Sequence, residues 1–475
     1  MSLKQKIISG VFWQGVEKIG TQGINFVISV VLARLLAPKE FGVAALMMVF
    51  LLLCNVVIDS GFGNALIQKK EATQADFCSV FFINIVLGAT LYGVMFFAAP
   101  WIARFYDYPE LTLYLRVSSL SLIIGSFMVI QRTLLIKQMM FYLNFRINWT
   151  TCLLSGSVGI LMAYHGIGVW ALIIQNLVRV AVTCLLLWGL VKWRPQLCFD
   201  WERTKSLFKF GWKFLVSSFL DTLYNDIYSV VIGRIANLTS LGFYNRGKSV
   251  SALGMGAVTN TISSVLFPAF SQIQDDKVKM CELAKRGIRN IMFFVSPVLT
   301  LLFILADPLV RVLFTEKWLP CVIYLRLCCI TFFFWPLHAT NLQVISASGR
   351  SDVFLILEII KKVQAALVII VTYRYGVVIM VAGEAAMGIV SFFENSWFNR
   401  KLINYPPWRQ LWDILPVSLI AMISGGGAYG GTLFVTSPWC KLLAGGSAFV
   451  ALYVVGAVLF RQFPADILNL LRRRT

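Results

Sequence analysis

The 475 residues are 58% hydrophobic and 13% charged, with a formal net charge of +20. A composition this apolar, with strongly positive mean hydropathy, excludes a soluble globular enzyme and a disordered polyelectrolyte and identifies a membrane protein. Because every backbone polar group must be satisfied inside lipid, the apolar segments are read as helices.

About fourteen windows of roughly 20 apolar residues, each long enough to cross a hydrocarbon core, are predicted in chain order. They lie near 8–36, 42–62, 76–99, 112–131, 142–164, 167–191, 211–235, 248–270, 287–306, 320–345, 353–373, 375–398, 412–434 and 440–460. Turn and breaker residues such as Pro38, Pro100, Pro109, Gly166, Pro195, Pro320, Gly349 and the Pro406-Pro407 pair separate them. The opening MSLKQK precedes a segment too long and too polar for the apolar core of a signal peptide, so the first helix is expected to stay.

The basic residues concentrate in alternate loops, among them Lys69, Lys70, Lys137, Lys192, Arg194, Lys277, Lys279, Arg400, Lys401 and Arg472 to Arg474, which by the positive-inside rule places both termini in the cytoplasm. The charge is therefore topological and implies no nucleic-acid partner.

Residues 242–249, GFYNRGKS, satisfy the phosphate-loop pattern G-x-x-x-x-G-K-[ST]. A phosphate loop needs a strand before it and a helix N-terminus after it. Here a membrane helix precedes the pattern, and the loop that holds it falls on the outer side, so no nucleotide is expected.

Displacing the sequence by 200 residues aligns NFVISVVLARLLAPKEFG with NDIYSVVIGRIANLTSLG, pairing Asn25/Asn225, Ser29/Ser229, Arg34/Arg234 and Gly42/Gly242. The chain is a duplication, and an even number of helices per copy makes it a parallel repeat. Gly42 and Gly242 are read as permitting a tight turn between the first two helices of each copy. The expected organisation is an N-terminal six-helix lobe (1–193), a cytoplasmic linker (194–210), a C-terminal six-helix lobe (211–399), two additional transmembrane helices (410–461) and a basic cytoplasmic tail (462–475).

Polar residues recur at helical spacing along the first helix (Gln14, Lys18, Thr21, Gln22, Asn25, Ser29) and the seventh (Ser218, Asp221, Thr222, Asn225, Ser229). Such stripes do not face lipid, since a centrally placed ionisable group costs about 2.5–3.5 kcal/mol even on a lenient scale. Two readings stand. The stripes are hydrogen-bonding glue between helices, or they line a hydrated substrate cavity, with Glu17, Asp221 and Asp226 as candidates for ion coupling. Arg116, Arg146 and Arg179 have no partner nearby in sequence and are candidates to make the lobe interior cationic. Arg34, Arg132, Arg234 and Asp59 fall near helix ends and are read as snorkelling, and Glu358 as a local ion pair with Lys361 or Lys362. Two histidines and ten cysteines without a C-x-x-C motif give no metal site, no cofactor and no catalytic residue.

The stretches MSLKQKIISGVFW, VLARLLAPKEFG, GFYNRGKSV, LFPAFSQIQDDKVKM and FTEKWLP give the chain a resemblance to Wzx-type polysaccharide flippases of the WzxC-like group. These belong to the superfamily that also holds the MATE and MurJ transporters. The resemblance implies two six-helix lobes around a central cavity, two further C-terminal helices and alternating access, without enzymatic activity. It also implies a cargo, an undecaprenyl-pyrophosphate-linked glycan moved to the outer leaflet of the bacterial inner membrane for exopolysaccharide, capsule or lipopolysaccharide assembly, with polymerase and chain-length proteins as partners. A typically cationic cavity in the family agrees with Lys18, Arg116, Arg146 and Arg179. A cation-coupled drug antiporter and a membrane-embedded polysaccharide polymerase are the alternative readings.

Overall fold

The computed structural model describes residues 3–59, 62–69, 72–253, 255, 266–460 and 462; the side chains of 3–12, Gln14 and most of 202–214 are among those outside the description. The span expected at 248–270 falls largely outside it, and so does the basic tail. All regular structure among the described residues is helical. Two compact units divide at Gly242.

The first unit holds α1 (Leu3–Leu35), α2 (Pro38–Asp59), α3 (Phe62–Gln68), α4 (Gln74–Phe105), α5 (Leu111–Ser118), α6 (Leu120–Ser126), α7 (Val129–Lys137), α8 (Phe141–Tyr164), α9 (Val169–Leu190), α10 (Trp201–Ile235) and the start of α11 (Leu238–Ser251). The second holds the rest of α11, then α12 (Phe267–Gln272), α13 (Lys277–Ile304), α14 (Ala306–Phe314), α15 (Cys321–Ala347), α16 (Ser351–Thr372), α17 (Val377–Ile403), α18 (Pro407–Thr432) and α19 (Pro438–Leu459).

Nine of the described helices are long and apolar enough to cross a membrane. The broken run from α5 to α7, bent by 46° between Ser126 and Val129, adds a tenth. Helices α8, α10 and α16 have the length, but residues such as Asn144, Arg146, Asp221, Lys361 and Lys362 lower their hydropathy. The protein is an all-α, multi-pass membrane protein.

The duplication is visible in the helix ends. α1 stops at Leu35 and α10 at Ile235, while α2 starts at Pro38 and α11 at Leu238. Each restart is capped differently. Glu40 accepts from the Ala37 backbone N–H in the first copy, and Asn237 Oδ1 accepts from the Ser240 N–H at 2.7 Å in the second. These contacts are the two halves of a capping box. α4 has the complete box, with Thr73 and Asp76 each satisfying the other's backbone N–H.

Gly42 and Gly242 are not turn residues. Both lie one turn inside helices, where α2 and the start of α11 cross within the first unit. A Cβ on Gly42 would collide with the Leu238 carbonyl, and one on Gly242 with the Pro38 carbonyl. The sequence shows a glycine at this position in both copies; the crossing shows that backbone proximity, rather than φ, calls for it.

The phosphate-loop pattern is also helical, since Gly247 and Lys248 sit within α11. A Cβ at Gly247 would come within 2.7 Å of the Leu325 backbone nitrogen. The glycine lets α11 lie against the start of α15, and no loop is present to cradle a phosphate. Residues 201–210, expected in a linker, already belong to α10.

In hydrocarbon, burial of apolar side chains supplies little net drive, and packing with satisfied polar groups holds helices together. The first unit packs Phe77, Phe81, Leu134 and Leu187 into one core, with edge-to-face contact between Phe81 and Phe127. In the second, Phe293, Val417, Ile420, Phe449 and Tyr453 join α13 to α18 and α19. At one end of that unit Asn341, Ser396, Asn399 and Gln410 form a buried network: Asn341 donates to Gln410 at 2.9 Å, Gln410 to Asn341 at 3.0 Å, and Asn399 to Asn341 at 2.6 Å. This network ties α18 to α15 and α17.

Candidate functional site

The polar stripe of α1 divides between the two readings. Glu17 accepts hydrogen bonds from Asn144 and Asn148, the Asn144 bond being 2.8 Å. Asn144 and Asn148 are one turn apart on α8, so both amides reach one carboxylate. Asn25 Oδ1 accepts from Arg179 on α9 at 2.9 Å and from the Cys152 thiol on α8 at 3.1 Å. The face bearing Glu17 and Asn25 is therefore packed into its own unit. Gly20 permits this approach, as a Cβ there would strike the Trp149 ring.

Lys18 and Gln22, also one turn apart, are exposed. On α10, Asp221 and Asn225 are exposed while Thr222 and Asp226 are half-buried. The Gln14 side chain lies outside the described residues. Thus Lys18 and Gln22 share one face of α1, and Asp221 and Asn225 one face of α10.

The three arginines expected to form a cationic interior have separate environments. Arg116 Nε donates to the Phe96 carbonyl at 3.1 Å, and its guanidinium lies 4.1 Å from the Phe96 ring centroid. Phe96 is four residues before Pro100, inside α4. Proline has no N–H to offer that carbonyl, so Arg116 supplies the missing donor. The second unit has a counterpart: Pro297 frees the Phe293 carbonyl, which accepts from the Tyr453 hydroxyl at 2.8 Å. Arg179 is held by Asn25. Arg146 is exposed beside the Tyr142 ring. Arg116 and Arg179, without partners nearby in sequence, find theirs on other helices.

A cavity of about 80 Å³ lies inside the first unit, lined by Met48, Leu51, Asn55, Ser121, Asn176 and Val180 among others. At about 10–15 Å³ per water on this measure, it has room for a handful of waters and not for an oligosaccharide. The apolar and amide side chains of this lining gave no periodic signal in the sequence, because they come from α2, α6 and α9.

In the second unit, Lys248 is 5.6 Å from the Tyr244 ring centroid, and the Tyr244 hydroxyl donates to Glu384 at 3.2 Å. The expected local pair is present, with Lys361 Nζ 2.5 Å from Glu358 Oε1. Of the helix-end arginines, Arg234 pairs with Asp107 at 2.6 Å, both partners being solvent-exposed. Among the described residues no cluster of histidine, cysteine and carboxylate side chains is placed to hold a metal ion.

At the loop between α4 and α5, Glu110 accepts from the hydroxyls of Tyr108 at 2.8 Å and Tyr114 at 3.1 Å. The two phenols hold its carboxyl below the usual glutamate range.

The profile of a family described as polysaccharide biosynthesis protein matches residues 31–323. The chain is similar to the succinoglycan biosynthesis transport protein ExoT of Rhizobium meliloti (strain 1021), 26% identical over 66% of this chain and 63% of that one. It is likewise similar to the lipopolysaccharide biosynthesis protein WzxC of Escherichia coli (strain K12), 27% identical over 70% of this chain and 68% of the relative. Among solved structures, the inward closed conformation of the lipid II flippase MurJ superimposes with a TM-score of 0.75 at 15% identity, over 95% of this chain and 99% of that one.

Proposed function

This chain belongs to the polysaccharide biosynthesis protein family, and from that premise we propose that it is a flippase for lipid-linked oligosaccharides. It would carry undecaprenyl-pyrophosphate-linked repeat units from the inner to the outer leaflet of the bacterial inner membrane, for exopolysaccharide, capsule or lipopolysaccharide assembly. The observation that carries this reading is the agreement of a near full-length flippase fold with relatives named for polysaccharide transport and biosynthesis.

The physical task is to move a pyrophosphate and several sugars across roughly 30 Å of hydrocarbon. Alternating access meets that demand when the head group travels in a polar passage and the polyprenyl tail stays in lipid. Lys18, Gln22, Asp221 and Asn225 are the proposed cargo-facing residues, supported by their exposure on α1 and α10. Arg146 remains a candidate for the anionic head group for the same reason. Arg116 and Arg179 are proposed to act through helix geometry, and Glu17 through its asparagine pair. The six-helix lobes at 1–193 and 211–399, the cytoplasmic termini and contact with polymerase and chain-length proteins are part of the same proposal.

The test is a deletion strain. It should lose surface polysaccharide and accumulate lipid-linked repeat units accessible only from the cytoplasmic side, and both effects should reverse on complementation. Normal polymer without accumulation overturns the reading.

A further inference from the structure

We propose that the end of the first unit where the α1–α2, α4–α5 and α8–α9 turns meet is a saccharide subsite, built to take one pyranose ring of a glycan chain. Lys39 opens α2, Tyr108 and Glu110 lie in the α4–α5 turn, Tyr114 is on α5, and Trp170 is in the first turn of α9. Gly168 brings the third turn in, since a Cβ there would come within 2.7 Å of Glu40 Oε1 at the start of α2.

The aromatic rings form a corner. Tyr114 and Trp170 stand 5.3 Å apart at 88°, and Tyr108 lies 6.4 Å from Tyr114 at 43°. All three are half-buried, so each ring is held by packing and still presents part of its surface to solvent. The face of an aromatic ring carries negative partial charge, and the axial C–H bonds of a pyranose present the opposite sign. Such a corner therefore suits a molecule with an apolar C–H face and hydroxyls at its rim.

The polar groups suit those hydroxyls. Tyr108 and Tyr114 both donate to Glu110 Oε2, at 2.8 and 3.1 Å, which fixes the carboxylate and leaves Oε1 without a hydrogen bond among the described residues. An ionised carboxylate oxygen only accepts, so Oε1 calls for a donor such as a sugar hydroxyl. Lys39 is exposed, with Nζ 4.9 Å from the Tyr108 ring centroid and no ion pair among the described residues, so it offers N–H donors. An acceptor and a donor beside an aromatic wall match adjacent sugar hydroxyls, each of which both donates and accepts.

Three other occupants fit less well. Tyrosines of a membrane-interface belt turn their tips to water or headgroups, whereas these two tips are turned onto one carboxylate. A phosphate would meet Glu40 and Glu110 against the single positive charge of Lys39. A metal ion would meet Lys39 and hydroxyls that already donate to Glu110, and among the described residues no metal-holding cluster is present.

The chemistry of the corner stands on the first unit alone; that its ligand is the carried glycan, met on the outer side, rests on the flippase reading. The probe is the oligosaccharide released by mild acid from the host strain's lipid-linked pool, freed of pyrophosphate and lipid. Saturation-transfer NMR with the full chain in lipid nanodiscs reads its binding. Wild type should bind saturably, with transfer to pyranose C–H protons. Glu110→Gln and Lys39→Ala alter exposed side chains and should fold, and each should weaken binding about tenfold, the loss of one charge-assisted hydrogen bond. Trp397→Leu, at an exposed ring of the second unit, should bind as wild type does. Absence of saturable binding, equal binding by wild type and both polar variants, or displacement of the oligosaccharide by inorganic phosphate overturns the site. If a deletion strain accumulates lipid-linked repeat units while the purified chain ignores the released oligosaccharide, the site falls and the flippase reading stands. Binding lost in both variants, with normal polymer in the deletion strain, upholds the site and removes the carrier role.

Discussion

Gly42 and Gly242 hold each other's helices at backbone contact. The Cβ that Gly42 lacks would lie 3.1 Å from the Gly242 nitrogen, and the one that Gly242 lacks would lie 3.2 Å from the Gly42 nitrogen. The collisions are reciprocal, Gly42 with the Leu238 carbonyl and Gly242 with the Pro38 carbonyl, and each pair is separated by 200 or so positions in the duplicated sequence. The contact therefore relates equivalent residues of the two copies.

Substituting Ala at Gly42 or Gly242 should destabilise the protein by about 1–3 kcal/mol or more, because backbone cannot retreat as a flexible side chain does. The measurement is the thermal unfolding midpoint in detergent. Wild-type midpoints for both variants would falsify the close-contact reading and return these glycines to a conformational role.

Arg116→Ala should cost about 1 kcal/mol through the stranded Phe96 carbonyl. Pro100→Ala restores an N–H to that carbonyl, so it should suppress much of the loss in the double variant. A double-mutant cycle reads this directly; strictly additive effects would show that the arginine does not serve the proline break.

Gly247→Ala should lower stability because its Cβ would meet the backbone at Leu325 and Tyr324. Lys248→Ala should leave nucleotide affinity undetectable, as in wild type. Saturable ATP binding by the purified protein, lost in Lys248→Ala, is the outcome that restores the phosphate-loop reading.

Removing Gln410 from the buried network takes one hydrogen bond from each end of the Asn341 amide, which keeps Ser396 and Asn399, and also takes the Gln410 partner from the Ser396 hydroxyl and the Tyr405 carbonyl. Gln410→Leu should therefore cost about 2–3 kcal/mol and release the α18–α19 hairpin first, seen as faster hydrogen exchange across 407–459. Uniform exchange throughout the second unit would argue that the network does not anchor the hairpin.

The Glu110 carboxyl is depressed by Tyr108 and Tyr114. Its stabilising contribution is present above the unfolded-state value of about 4.3 and is lost as pH falls through the lower folded value. Below that window, wild type and Glu110→Gln should have the same unfolding midpoint, and above it wild type should be the more stable. A difference that grows as pH falls would contradict the assignment.

The membrane class, the helix windows and the duplication were legible because hydropathy and internal identity are properties of consecutive residues. The Glu358–Lys361 pair was legible for the same reason, as its members are one helical turn apart. The partners of Arg116, Arg179 and Glu17 were not legible, since they are on other helices at separations of 20, 154 and over 120 residues. The stripe on α1 showed which residues are polar but not which edge of it packs.

Sequence by itself determined that the chain crosses the membrane repeatedly as helices and that its halves share an ancestor, because lipid leaves a long apolar segment few other ways to satisfy its backbone. Only tertiary structure decided that a phosphate-loop pattern is a helix, that two glycines mark a crossing, and that one arginine answers a proline. Those outcomes depend on which atoms of distant segments meet, and no local spacing records that.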